Sequence, residues 1–293
     1  MRPQQWSKNV FVLAPLAFAL GDRRTSHALA QSDVLHVLAA FGAFSLGASA
    51  VYLLNDVLDA ESDRAHPEKR RRPVASGELA PATALIASGA CAAAALLLAL
   101  FGAGNPAVAG VVAAYIAVNL AYSLRLKRVV LLDVFCIALG FLLRVVAGGL
   151  AAAADVSHWI LLCTFFLALF LALNKRRSEI VLLGDRSASH RAILEQYSVP
   201  FVDQLVTVLA AATLVCYALY TVDDETMAKF GQDNGLVWSV PFVVFGLARY
   251  MLLVQNGAAG GNPTKVFLGG DALFLLNTLC WGAVVALAIL GKL

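Results

Sequence analysis

Three carboxylates at the end of one apolar run carry the strongest chemical signal in the chain. In Tyr52-Leu-Leu-Asn55-Asp56-Val-Leu-Asp59-Ala-Glu-Ser-Asp63 the acids are spaced i, i+3, i+7, which places Asp56, Asp59 and Asp63 on one face of a helix that continues past its apolar part. Like charges this close repel unless a cation or a hydrogen-bond network compensates them. Oxygen-rich clusters of this kind suit Mg²⁺ held jointly by carboxylates and substrate phosphates, with Mn²⁺ as the ion that can replace it. The expected site uses Asp56, Asp59 and Asp63 as metal ligands and catalytic residues, with Asn55 beside them as a substrate contact. The plainer alternative is a solvated acidic helix end balanced by the cations of 69–72. The position at the mouth of a membrane span, with an amide next to the acids, favours the metal.

Cations follow at once. His66-Pro67-Glu68-Lys69-Arg70-Arg71-Arg72-Pro73 offers positive charge to a diphosphate or a sugar phosphate, and Lys69 and Arg72 are the expected ligands, although the same block also serves as a topology signal. The N-terminal Arg2-Pro3-Gln4-Gln5-Trp6-Ser7-Lys8-Asn9 joins an interfacial anchor to a candidate substrate contact, Lys8. A second polar strip, Asn174-Lys175-Arg176-Arg177-Ser178-Glu179, contributes Lys175, Arg176 and Glu179, while a surface pair between Lys175 and Glu179 at i, i+4 is the bland reading. Arg144 lies within an apolar segment, eleven residues and about 16 Å of helical rise from Asp133. An intramembrane arginine is costly and by default functional, so Arg144 is expected to hold a lipid phosphate or to help close the cavity, with a buried structural pair as the plainer alternative.

The elements that must position these groups are membrane helices. Of 293 residues 60% are hydrophobic and only 14% charged, where a soluble domain carries about 25%; the mean hydropathy is +0.77. Nine apolar segments, approximately 9–21, 34–54, 82–101, 106–122, 130–153, 157–173, 201–221, 236–254 and 272–290, are candidate spans of an all-α bundle. With the N-terminus cytoplasmic, that side receives the lysines and arginines near residues 2–8, 64–72, 125–128, 175–191 and 265, leaving Arg23, Arg24, Lys229 and Lys292 opposite. The chemistry therefore belongs on the inner face, in the loops 55–81 and 174–200. The charged Asp22-Arg23-Arg24 argues against a cleaved leader. No linker or fixed-period repeat interrupts 1–293, so one membrane domain is expected. A net charge of +3 in short blocks gives no case for nucleic acid, and five cysteines without metal or redox spacing read as small buried hydrophobes.

At Asn55-Asp56-x-x-Asp59-x-x-x-Asp63 the chain resembles the UbiA-type polyprenyl transferase superfamily. Arg2-Pro-x-x-Trp6-x-Lys8-Asn9, His66-Pro-x-Lys69-Arg-x-Arg72-Pro73, Asn174-Lys175-Arg176-x-x-Glu179 and Gly261-Asn-Pro263 are similar to its decaprenyl-phosphate phosphoribosyltransferase branch. The resemblance implies a nine-helix bundle with an active site on the inner face of a bacterial-type cell membrane. It also implies Mg²⁺-dependent transfer of phosphoribose from 5-phosphoribosyl 1-diphosphate to a polyprenyl phosphate. Aromatic prenyltransferases of the superfamily typically carry a second Asp-x-x-x-Asp, and this chain departs from it with Lys175-x-x-x-Glu179. Two alternatives stand beside this expectation: a prenyltransferase joining a prenyl diphosphate to an aromatic acceptor, and a membrane transporter, for which Gly- or Pro-interrupted paired spans are weak here. Lipid chain length and homo-oligomerisation are left open.

Overall fold

Long apolar runs with few breakers give long helices, and the computed structural model describes residues 3–22, 31–65, 69–183, 196–230, 235–257 and 271–291. The expectations for Arg2, Arg23, Arg24, His66, Pro67, Glu68, Arg186, Arg191, Gly261 to Pro263, Lys265 and Lys292 lie outside them. A 3₁₀ segment, Pro3–Val12, leads into α1 (Ala14–Ala19), followed by α2 (Gln31–Leu58), α3 (Ala60–Ala65), α4 (Pro81–Gly102), α5 (Ala107–Leu124), α6 (Leu132–Ala151) and α7 (His158–Leu183). Then come α8 (Val199–Val222), α9 (Asp224–Phe230), α10 (Val240–Gln255) and α11 (Ala272–Ile289). Among the described residues eight helical stretches are long and apolar enough to cross a membrane.

The first expected span departs from that pattern, being a 3₁₀ run and a short α-helix rather than one α-helix.

The helices form two compact units. The first comprises 1–17, 29–124 and 143–155; the second comprises 18–28, 125–142 and 156–293, so α6 contributes residues to each. In the first unit the packing is made by small residues, as expected where lipid removes the hydrophobic drive and close backbone approach replaces it. Ala40, Ala43 and Ala48 of α2 meet Ala95 and Ala99 of α4, with Phe44 and Tyr115 filling the space beside them. Ser88 donates to the Ala50 carbonyl at 2.8 Å, tying α4 to α2. In the second unit α7 packs along α8, and Phe170, Leu173, Val202, Val206, Tyr250 and Phe274 form the core. Large apolar side chains such as Ile86, Phe101 and Leu279 stay mostly exposed, as a lipid-facing surface requires.

Candidate active site

The acidic stretch begins on the last turn of α2 and crosses into α3. The helix assignment breaks at Asp59, yet the Asp59 N–H donates to Asn55 O at 2.9 Å and the Asp63 N–H to Asp59 O at 2.8 Å, so the i to i−4 ladder runs on. The expected shared stripe is therefore present. Asp56 and Asp63 are buried and Asp59 is half-buried. What the structure does not do is gather all three carboxylates round one ion position: among the described residues no three His, Cys, Asp or Glu side chains are so placed. The reason is Arg72. Its Nη1 donates to Asp63 Oδ2 at 2.5 Å and lies 3.5 Å from Asp56 Oδ1, so a guanidinium occupies the space that the spacing alone allots to a cation.

Arg72 is held there by a tight loop. The Arg72 N–H bonds Lys69 O, Ser76 N–H bonds Arg72 O, Leu79 N–H bonds Pro73 O, and Gly77 takes φ +86°, a value that favours glycine. Arg64 Nε reaches over from α3 to the Ala75 carbonyl at 3.3 Å and pins this loop. Charge counting alone had read Arg64 only as a topology determinant. Lys69 is half-buried at the start of the same turn.

Beside these pairs one polar atom is left over. Asn55 Oδ1 is buried without a hydrogen-bond partner, which costs about 1 to 3 kcal/mol unless a ligand completes it. An amide oxygen one and four residues from Asp56 and Asp59 is a hard oxygen donor next to two more, the set Mg²⁺ prefers when phosphates supply the remainder. Asn55, Asp56 and Asp59 thus offer the oxygen chemistry that suits a divalent cation, while Asp63 is engaged by Arg72.

Arg144 and the N-terminal motif turn out to be one construction within the first unit. Arg144, 6% exposed, donates through Nε to Asn9 Oδ1 at 2.8 Å and through Nη2 to Tyr115 OH at 3.0 Å, with its guanidinium carbon 4.7 Å from the Tyr115 ring centre. Asn9 Nδ2 donates to Ser45 Oγ at 3.0 Å, and Trp6 Nε1 to Ser49 Oγ at 3.3 Å. A Cβ on Gly148 would stand 2.0 Å from the Val12 carbonyl oxygen. The 3₁₀ segment is thereby bolted to α2 and α6, Lys8 remains exposed, and the sequence reading of Arg144 as a substrate contact is met by a side chain engaged in packing the helices.

The second strip lies on α7 in the other unit. Arg176, 3% exposed, donates through Nε to Asp133 Oδ2 at 2.8 Å and through Nη1 to Glu179. Lys175 has a half-exposed side chain with Nζ 4.0 Å from Glu179 Oε1, and Arg177 Nε donates to Asp203 Oδ1 at 2.5 Å. The i, i+4 pair foreseen for Lys175 and Glu179 exists, but Glu179 also serves Arg176. The partners Asp133 and Tyr197 were missed as a group: Tyr197 OH donates to Asp133 Oδ1 at 2.7 Å. Burial, with the Asp133 hydrogen bond second, pushes the Tyr197 hydroxyl well above the usual phenol range and keeps it a donor.

Comparison with known proteins shows the family and the fold. The model of the UbiA prenyltransferase family matches residues 11–178. Decaprenyl-phosphate phosphoribosyltransferase of Corynebacterium glutamicum is 37% identical over 291 residues, 99% of this chain and 85% of that one. The enzyme of the same name from Mycolicibacterium smegmatis is 37% identical over 296 residues, 99% of this chain and 91% of its own. Among solved structures, a UbiA homolog from Archaeoglobus fulgidus bound to GPP and Mg²⁺ superposes with a TM-score of 0.69 at 19% identity, covering 99% of this chain and 95% of that one.

Proposed function

Because the chain belongs to the UbiA prenyltransferase family, we propose that it transfers 5-phosphoribose from 5-phosphoribosyl 1-diphosphate to a polyprenyl phosphate, releasing diphosphate. The observation that carries this is the identity of 36–37% to decaprenyl-phosphate phosphoribosyltransferases along 99% of the chain. The chain is a membrane-bound pentosyl-transferring enzyme. We take 1–293 as one transferase domain.

An oxygen of the lipid phosphate attacks C1 of the ribose as the bond from C1 to the diphosphate breaks, and the diphosphate leaves with the electron pair. The nucleophile is already an anion at neutral pH, so no strong general base is needed. Asn55, Asp56 and Asp59 would hold Mg²⁺, which supplies charge neutralisation on the departing diphosphate. Arg72 holds Asp63 and leans on Asp56, keeping the acidic turn from splaying under its own repulsion. Lys8 and Lys69, which belong to the same compact unit as that turn, are assigned to the substrate phosphates. Lys175, where aromatic prenyltransferases carry an acid, supplies positive charge for a donor that bears a second anion, its 5-phosphate.

The N-terminus and the acidic turn are assigned to the cytoplasmic side of the inner membrane. The basic ends of α2–α3, α5, α7 and the 3₁₀ segment support this through the asymmetry of Lys and Arg. Purified protein with Mg²⁺ and radiolabelled phosphoribosyl diphosphate is expected to yield labelled lipid only when polyprenyl phosphate is added. Turnover confined to a prenyl diphosphate with 4-hydroxybenzoate would replace this reading with aromatic prenylation.

A further inference from the structure

Leu131 stands in the left-handed region at φ +67°, where a leucine side chain crowds its own backbone and only surrounding contacts can hold it. Those contacts come from a residue 66 positions later. The Leu131 N–H donates to Tyr197 OH at 2.7 Å, and the same hydroxyl donates to Asp133 Oδ1 at 2.7 Å. One phenol thus uses its proton on a carboxylate and a lone pair on a peptide. Asp133 passes the restraint on through its second oxygen to Arg176 Nε at 2.8 Å, and Arg176 continues to Glu179, which faces Lys175. Tyr197 and Asp133 are 3% and 1% exposed, so water does not replace either bond readily.

On the other side of Leu131 the chain is basic. Arg125 leads a 3₁₀ turn, Leu126–Arg128, that contains Lys127 and Arg128 and runs directly into the strained residue: Arg128 N–H bonds Arg125 O, Val129 N–H bonds Leu126 O and Asp133 N–H bonds Val129 O. Among the described residues this short connection is held by the helix start behind it, by the packing of Val130 and Leu131 against the core of the second unit and by the tyrosine hydroxyl on the Leu131 N–H. Releasing Leu131 to ordinary φ would redirect three cations at once and loosen the Asp133 grip on α7.

We infer that Tyr197 is a positioning residue for donor recognition: its hydroxyl clamps the left-handed Leu131 and Asp133 together, and through them sets both the basic turn 125–128 and the strip Lys175 to Glu179. The inference rests on the phosphoribosyl transfer proposed above, which gives Lys175 to the anionic donor, and it adds the basic turn 125–128 to that assignment. Tyr197 touches no substrate and acts through its neighbours.

Tyr197→Phe keeps the ring and removes both bonds. Its KM for phosphoribosyl diphosphate is expected to rise about tenfold, as for loss of a hydrogen bond to a charged group, while kcat stays within about threefold. Amide exchange of 125–133 should accelerate as the turn loses its restraint. A merely structural role would lower the folded fraction and leave KM unchanged; that result overturns the inference. If the starting protein shows no turnover of phosphoribosyl diphosphate, the functional reading fails separately. The exchange rate still decides the clamp: unchanged protection at 125–133 in Tyr197→Phe rejects it.

Discussion

The acidic end of α2 and the basic end of α7 are made of the same ingredients and finish in different states. Each carries acids and cations one helical turn apart, and each draws a distant partner towards it. On α7, Arg176 is 3% exposed between Asp133 and Glu179, and Arg177 reaches Asp203. On α2 and α3, Arg72 engages Asp63 closely and Asp56 at longer range, while Asn55 Oδ1 stays buried without a partner. A polar cluster that satisfies its members internally is scaffolding; one that leaves a buried oxygen over is waiting for a ligand. The contrast supports the proposal that metal and diphosphate belong to the first region, and it shows Arg176 bound between Asp133 and Glu179 in the second.

The largest effect should come from breaking this Arg176 bridge. Arg176→Ala leaves Asp133 buried beside an empty space, and removal of one partner of a buried ion pair costs about 3 to 5 kcal/mol. A fall in the thermal midpoint in detergent, partly restored when Asp133→Asn is added, is the expected signature. Wild-type stability combined with lost donor binding would instead return Arg176 to the list of ligands.

Next in size is the metal grip. Asp59→Asn preserves volume and removes a charge from a residue that is only half-buried, so insertion and the thermal midpoint should hold while turnover falls about 10²- to 10³-fold, the loss typical of a group that stabilises transition-state charge. Asp56→Asn should behave alike in turnover. Near-normal rates in either variant would dismiss the metal assignment and leave the acidic turn as a solvated helix end.

These two regions also differ in how far they could be read from residues alone. Asp56, Asp59 and Asp63 are visible because helical periodicity is a local rule, and the ladder through Asp59 obeys it. The place of Arg72 is not visible, since it depends on a loop that closes through Leu79 N–H to Pro73 O and on Arg64 bonding Ala75 O. On α7 the basic strip is plain to see, but the partner of Arg176 lies 43 residues away and the tyrosine that orients that partner a further 64 positions along the chain from it. Hydropathy marks the first apolar segment but not its winding, because an apolar run is compatible with either kind of helix. The bonds that hold the 3₁₀ form, Asn9 to Ser45 and Arg144, involve contacts between distant segments.

Asn55 offers a sharper test at about one order of magnitude. Replacing it with alanine removes an oxygen that has no partner among the described residues, so folding should be unaffected or slightly stabilised, whereas the Mg²⁺ concentration for half-maximal turnover should rise about tenfold, in the range seen when a metal site loses one supporting group. Opposite signs on stability and function are characteristic of a residue kept for its ligand. A stability loss with unchanged Mg²⁺ dependence would show that Asn55 works as packing.

The smallest expected effect falls on Lys175, and its size follows from exposure. The side chain is 51% accessible and its ammonium stands 4.0 Å from Glu179, a separation at which a screened surface pair contributes about 0 to 1 kcal/mol. Lys175→Gln should therefore leave the thermal midpoint where it was. A phosphate arriving at the same ammonium carries more charge than a carboxylate, yet it is screened by the same water, so the loss in donor affinity should be modest: a KM for phosphoribosyl diphosphate about three- to fivefold higher, with kcat and the KM for polyprenyl phosphate unchanged. Charge reversal in Lys175→Glu should at least double that penalty by placing a second carboxylate beside Glu179. Raising the salt concentration should narrow the gap between the variants, because exposed charges are screened over about 10 Å at 0.1 M. Equal donor KM in wild type, Lys175→Gln and Lys175→Glu would remove Lys175 from donor binding and leave α7 with no residue in contact with substrate.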